Sequence, residues 1–334
     1  MKKLLLTAIL LMSVLGVLTG CGGNGSNGNP DGGTPPASFS IGESLVPGAT
    51  SFPTGISDSP QCITVNYPYY MAKYEVTYAL WKEVYDWATK NGYTFANPGN
   101  RGAGEDNDTG KYIIFNTGHE SDPVTNINWY DTIVWCNALT EYYNAKNGKN
   151  LDCVYKDSTG NVIKNATDAT IIVYLTGKND FNLSAKGFRL PTSMEWELAA
   201  RYKDVSTWTP GNYASGATDY AWNIGTSQPN TNLAPTQEVA WYWCDNHRIS
   251  SNPDIYSTHP VGQKPTNGNA LGLYDMSGNV WEWCSDLNSE FSTRVYRGGG
   301  WTSYEVFDLL VGVERNSDPG SPQYGAGFRP VRTK

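Results

Sequence analysis

The chain has 334 residues, 39% hydrophobic and 13% aromatic, with 24 Lys and Arg against 32 Asp and Glu for a net charge of −8. That acidity excludes a protein that grips nucleic acid or an anionic lipid surface through charge. The length supports a sizeable core, but 12 Trp and 22 Tyr must build much of it, and their N–H and O–H groups then need partners.

The first element is a processing signal rather than structure. Met1-Lys2-Lys3 is basic, and Leu4 to Val17 is an apolar run too short for a comfortable membrane span. It ends in Leu18-Thr19-Gly20-Cys21, which resembles the lipobox of bacterial lipoproteins. The resemblance implies a signal peptide over residues 1–20, cleavage before Cys21 and acylation of Cys21. Gly22 follows, not an aspartate, so by the same resemblance the outer membrane or cell surface is the expected location. The membrane is then touched through the lipid anchor only. Residues 21–43 are the acylated cysteine and a Gly, Asn, Ser and Pro tether, which cannot bury enough surface to order itself. Such a tether holds the domain about 20–25 Å from the lipid. Loss of Lys2 and Lys3 leaves 22 basic against 32 acidic residues, a net −10.

Residues 44–334 read as one domain. Its cysteines are Cys62, Cys136, Cys153, Cys244 and Cys284. Export permits disulfides, an odd number leaves a thiol over, and the pairing stays open. Their spacing fits no metal-ligand pattern. A helix is predicted from Val76 to Lys90 with Leu80, Val84 and Trp87 on one face, ended by Asn91-Gly92. A second follows the N-cap Asn128 and runs through Trp129, Ile133, Cys136 and Leu139 to about Tyr143. A third follows Pro191, where Thr192-Ser193-Met194-Glu195 is a capping box. The rest is short strands and long Gly, Asn and Pro-rich loops, an α+β pattern with much irregular structure. Loops of that length need hydrogen-bonding or metal support of their own.

Seven motifs stand in one order: Met71-Ala72-Lys73-Tyr74-Glu75-Val76-Thr77, Pro123 to Trp129, Gly187-Phe188-Arg189-Leu190-Pro191-Thr192, His259-Pro260-Val261-Gly262, Leu271 to Trp283 with Gly278-Asn279-Val280-Trp281-Glu282-Trp283, Arg297-Gly298-Gly299, and Gly327-Phe328-Arg329. Together they resemble the formylglycine-generating enzyme, or sulfatase-modifying factor, family over residues 62–332. The resemblance implies a C-type-lectin-like α+β fold with small twisted antiparallel sheets, two main flanking helices and extensive loops.

The family's oxidase chemistry does not carry over. Those enzymes place two copper-binding cysteines shortly after the Gly-Gly of the Arg-Gly-Gly segment, and soft monovalent copper wants thiolates. Here Gly300 to Leu309 contains none, and no cysteine follows Cys284. Glu305 and Asp308 are hard ligands that would suit another metal. His119, His247 and His259 are scattered without ligand spacing. An enzyme of this family with altered chemistry is the alternative reading; no Ser-His-Asp set or paired carboxylates support it.

One family feature maps residue by residue. A structural Ca²⁺ is implied on the Asp275 side chain, the Gly278 and Val280 carbonyls and the Glu282 side chain, all hard oxygen ligands.

The segment 300–326 differs in character: aromatics interleaved with small polar residues, with no helical or alternating rhythm. It resembles the variable segment of a subset of the family, surface lipoproteins diversified by retroelements, as in treponemes. No Lys or Met, and no Trp after Trp301, occurs there, although Glu305, Glu314 and Gln323 depart from the adenine-directed pattern. The expected contact residues are Gly300, Thr302, Ser303, Tyr304, Val306, Phe307, Asp308, Leu309, Leu310 and Tyr324. Aromatics give large contact area at low entropy cost, and small polar groups adapt. Trp301, Val311, Val313 and Phe328 are expected in the core, with Arg315 and Arg329 paired internally. The function expected is a non-catalytic receptor or adhesin for a protein or glycan. Gln228-Pro229-Asn230, similar to the sugar-binding tripeptide of calcium-dependent lectins, lacks the calcium-ligand pair that would make it one.

Overall fold

The computed structural model describes residues 38–106, 111–113, 119–178, 180–242, 257–264, 268–288, 290 and 292–334. Cys21, the tether as far as residue 37, Cys244 and His247 lie outside the described residues, as does the side chain of Cys62.

The fold is the expected α+β, C-type-lectin-like one. Near the two ends of the domain, Glu43–Val46 and Val331–Thr333 flank Tyr69–Ala72 in one antiparallel sheet. Tyr69 and Met71, two apart in a strand and so on one face, are both fully buried. The larger sheet runs Glu314–Ser317, Thr293–Arg297, Trp281–Asn288 and Ala326–Gly327, the last strand parallel to its neighbour.

Helix α1 spans Tyr78–Thr89, capped by Thr77, whose hydroxyl accepts from Leu80 N. Val76 therefore stands outside the predicted helix; its N–H donates to Phe328 O and its carbonyl accepts from Val124 N. The buried stripe is Trp81, Val84 and Ala88, with Leu80 and Trp87 only partly covered. The predicted stripe was rotated by one residue because Leu80 and Trp87 bracket the true face. Helix α2, Trp129–Asn147, starts with a full capping box between Asn128 and Asp131 and runs a turn beyond Tyr143 to the left-handed Gly148. Trp129, Ile133, Cys136 and Leu139 are buried as expected, but so is almost every residue up to Thr140. Helix α3, Ala169–Thr176, capped by Asp168, was not anticipated. Helix α4, Ser193–Arg201, carries the predicted capping box.

Aromatics fill the core. Trp81 and Trp135 stack at 5.8 Å and 6°, and Phe328 meets both edge-on at 6.1 and 5.2 Å. The indoles find acceptors: Trp81 on Pro98 O, Trp135 on Trp81 O, Trp129 on Cys284 O, Trp196 on Glu282. The loops are held by polar side chains. Asn137 donates to Tyr155 O and Ile163 O while accepting from Tyr155 N. Three buried ion-pair sets brace the frame: Arg189 bidentate on Glu195, Glu197 between Arg201 and Arg297, and Arg329 on Glu282. Arg189, Glu282, Arg297 and Arg329 come from the motifs. No helix among the described residues is long and apolar enough to cross a membrane.

Candidate ligand-binding site

The Arg-Gly-Gly turn launches the C-terminal segment. Gly299 has φ +70°, and a Cβ there would sit 2.8 Å from Asp308 O, so only glycine lets the segment fold back so closely. Arg297 is locked below it, donating to Ser193 Oγ, Val313 O and Glu197.

From this turn the segment alternates between core and surface. Val306–Leu309 forms a short 3₁₀ turn. It drives Val306, Leu309 and Leu310 into a cluster with Ala214, Ala221, Val239 and Tyr242. Ser303 is buried, its hydroxyl accepting from Gly300 N, and Gly300 lies against the Asn279 carbonyl. Gly300, Ser303, Val306, Leu309 and Leu310 are therefore framework, a correction to the expected contact set. The cause is that a 3₁₀ turn hides residues three apart, a rhythm too short to show in the sequence. Tyr304 is 54% exposed, and Thr302, Phe307, Asp308 and Tyr324 are half-buried. Arg315 donates twice to Asp308 Oδ1, at 3.1 and 2.9 Å, and lies over the Phe307 ring. The expected core positions Trp301, Val311, Val313 and Phe328 are buried.

Beside this surface is a cavity of about 180 Å³ lined by Trp281, Trp283, Tyr296, Thr302, Gln323, Tyr324, Gly325 and Ala326. Thr302 and Tyr324 are shared with the predicted contact set. The aromatic walls are new. Trp281 and Trp283 are two apart in one strand and so share a face, and Tyr296 is the cross-strand partner of Trp283. Tyr296 meets both edge-on, at 4.5 and 5.6 Å. Burial, and then Asp308, raise the Tyr296 hydroxyl above its ordinary pKa, and Arg315 opposes them. The Trp283 indole N–H is buried without a hydrogen-bond partner. Leaving such a donor unmade costs about 1–3 kcal/mol.

On the other side of the Gly-Asn-Val-Trp-Glu-Trp strand is an acidic cluster. Glu75 accepts from Asn279 Nδ2 at 2.6 Å and Val280 N at 3.0 Å. Asp275 accepts from Gly262 N. Burial pushes Asp275 up to about 6, and burial with repulsion from Asp275 and Glu282 holds Glu75 well above the usual carboxylate range. Arg329 neutralises Glu282, donating to both oxygens, and Lys264 acts on Asp275. Asp275 and Glu75 are oxygen donors of the kind a hard divalent cation takes. The Glu282 carboxylate is the poorest fit of the implied ligands, because Arg329 and Trp196 already donate to it. Among the described residues, no three His, Cys, Asp or Glu side chains converge as a metal-binding group.

Nor is there a reactive thiol among the described residues. Cys136, Cys153 and Cys284 are free and buried, and burial raises all three, Cys153 to about 12, so they stay protonated. His119 is exposed, and His259 stacks on Trp241 at 3.9 Å. Asn230 of the Gln-Pro-Asn tripeptide is buried, donating to Tyr220 O and Asp219, and so is framework.

Residues 35–334 match the model of the sulfatase-modifying factor enzyme 1-like domain. The chain belongs to this family. It is similar, at 30% identity over 306 residues, to the chaperone protein LppX of Paenibacillus barcinonensis, covering 87% of this chain and 89% of that one. Among solved structures it resembles CarF, at 27% identity and a TM-score of 0.61 over 88% of this chain and 99% of the other. Treponema denticola variable protein 1 shares the fold at 24% identity and a TM-score of 0.56, over 89% and 98%.

Proposed function

We propose that the chain is a lipid-anchored, extracytoplasmic, non-catalytic receptor or adhesin. Its ligand docks on the surface made by Thr302, Tyr304, Phe307, Asp308 and Tyr324 together with the adjoining aromatic cavity. The observation that carries this reading is that cavity: aromatic walls with neutral polar groups on a frame locked by buried ion pairs, which is how a preorganised binding site is built. The missing cysteines of the 300–309 stretch remove the oxidase chemistry of the enzymes in the family. The test is the triple variant Thr302→Ala, Tyr304→Ala, Tyr324→Ala displayed on cells. It should fold with unchanged melting temperature and lose adhesion, and retained adhesion overturns the reading. Anchoring is tested separately by labelling with radioactive palmitate, which Cys21→Ser should abolish.

Diversification of positions 300–326 by a retroelement is part of the same reading. Sequencing codons 297–329 from a culture grown from one cell should find variation at the outward positions. A structural Ca²⁺ on Asp275, the Gly278 and Val280 carbonyls and, more weakly, Glu282 is also proposed, supported by the hard oxygen donors that the turn brings together. Chelation should lower the melting temperature and Ca²⁺ restore it. A second reading has one specific support, the full-length similarity to a protein named as a chaperone. In that case the ligand is another exported protein, and the purified chain should suppress its aggregation.

A further inference from the structure

We propose that the aromatic cavity holds a single neutral sugar ring; this rests on the binding reading above and names the ligand class for the same site. Four observations lead there. The cavity of about 180 Å³ equals roughly six water volumes, room for one pyranose ring and too little for a folded peptide turn. Four aromatic side chains line it, and Tyr296 meets Trp281 and Trp283 edge-on, so apolar faces lie in more than one direction. None of the eight lining residues is charged, so nothing there compensates a carboxylate, a phosphate or an ammonium group. The polar side-chain groups of the lining, on Thr302, Gln323, Tyr296 and Tyr324, are hydrogen-bonding and neutral.

A pyranose matches all four at once. Its C–H faces lie against indole and phenol rings, and its hydroxyls pair with the neutral polar groups of Thr302, Gln323 and Tyr324. An apolar peptide side chain would satisfy the walls but offer those groups no hydrogen bond. The Asp308–Arg315 pair near Tyr296 is internally neutralised and adds no net charge to the entrance.

The experiment is saturation-transfer NMR and calorimetry on the full-length chain, purified in a detergent without a sugar headgroup. The probes are the methyl glycosides of glucose, galactose and mannose, N-acetylglucosamine, glucuronate and phenylpropionamide. At least one neutral ring should bind, with a dissociation constant on the order of 1 mM for so small a ligand. Thr302→Val keeps the side-chain shape and replaces only the hydroxyl by a methyl group; it should weaken binding about fivefold to tenfold with the melting temperature unchanged. Trp281→Ala should abolish binding. Val205→Ala, exposed and outside both the cavity lining and the docking surface, should leave the monosaccharide affinity as it was.

Failure of every neutral ring to bind overturns the proposal, as does phenylpropionamide binding more tightly than any ring and without sensitivity to Thr302→Val. The latter result assigns the cavity to a protein side chain. Neither outcome touches the wider binding reading if the Thr302, Tyr304, Tyr324 variant still loses adhesion. Both readings fall only if that variant also adheres normally.

Discussion

Replacing Arg329 by Met tests whether the buried ion pairs hold the frame beneath the site. Arg329 is fully buried and donates to both Glu282 oxygens, to Ala72 O at 3.1 Å, to Lys73 O at 2.8 Å and to Tyr274 O at 2.7 Å. It thus ties the central strand of the larger sheet to the strand Tyr69–Ala72 and to the loop at Tyr274. Methionine fills a similar volume but leaves Glu282 charged, buried and held only by the Trp196 indole, beside Glu75 and Asp275. Removing one partner of a buried pair costs about 3–5 kcal/mol, because the remaining charge is uncompensated. At about 2.1 cal/mol/K per residue, a domain near 300 residues has an unfolding entropy of about 0.6 kcal/mol/K. A loss of about 4 kcal/mol then lowers the melting temperature by about 6–7 °C. The double variant Glu282→Gln, Arg329→Met removes the stranded charge and should recover about 2 kcal/mol. Denaturant unfolding of the two singles and the double gives the coupling directly. A single-variant cost below about 1 kcal/mol, or strict additivity in the double, refutes the argument that the pair is a brace.

Three further outcomes follow from particular side chains. Leu309→Ala, at a fully buried position, should cost about 2–5 kcal/mol, whereas Tyr304→Ala should stay within about 0.5 kcal/mol by denaturant unfolding. Equal costs would contradict the division of the segment into framework and surface. Asp122 is buried with Oδ1 unpartnered, and burial raises its carboxyl to about 6 against opposing contributions from His119. The folded form holds the proton more tightly than the unfolded one, so stability falls as pH rises from about 4 through 6. Asp122→Asn should therefore stabilise by about 1–2 kcal/mol at pH 8 and give no gain at pH 4. Burial, helped by Lys264, lowers the His259 ring to about 4. The unfolded chain then takes the proton first, and the stability that the neutral ring contributes is lost as pH falls from about 6.5 towards 4. The His259 imidazole should remain neutral by NMR at pH 5.5; a midpoint near 6.5 would refute its burial.

What could be read from the sequence was what is local or carried by motif. Asn128 with Asp131, and Thr192 with Glu195, are caps whose signal lies within four residues, and both formed as expected. The face of α1 was misplaced by one position, because Leu80 and Trp87 are apolar yet sit on the flanks of the true stripe. Helix α3 was missed although Asp168 is a good cap: its β-branched run Ile171-Ile172-Val173 reads as strand, and only Leu175 is buried to fix the face. The cavity was legible in part. Trp281 and Trp283 alternate along a strand and must share a face, but their junction with Tyr296, Gln323 and Tyr324 depends on pairing across the sheet, which no local pattern records.

The segment 300–326 shows why composition alone misjudged half of its contacts. Aromatic and aliphatic residues mixed with Ser, Thr and Asp have the same composition whether they face a partner or the core. Geometry separates them: Gly300, Ser303, Val306, Leu309 and Leu310 anchor the segment, and Thr302, Tyr304, Phe307, Asp308 and Tyr324 are left partly or largely outward. Anchors held by Ser277 on Leu309 O and by Gly300 on Ser303 resist change, because substitution there opens a cavity or strands a buried polar group. The outward side chains fill less of the core, although Asp308 pairs with Arg315. Variation among relatives or within a culture should therefore fall on the outward residues and spare the anchors. Substitutions accepted freely at Leu309 or Ser303 would mean the segment is not seated as described.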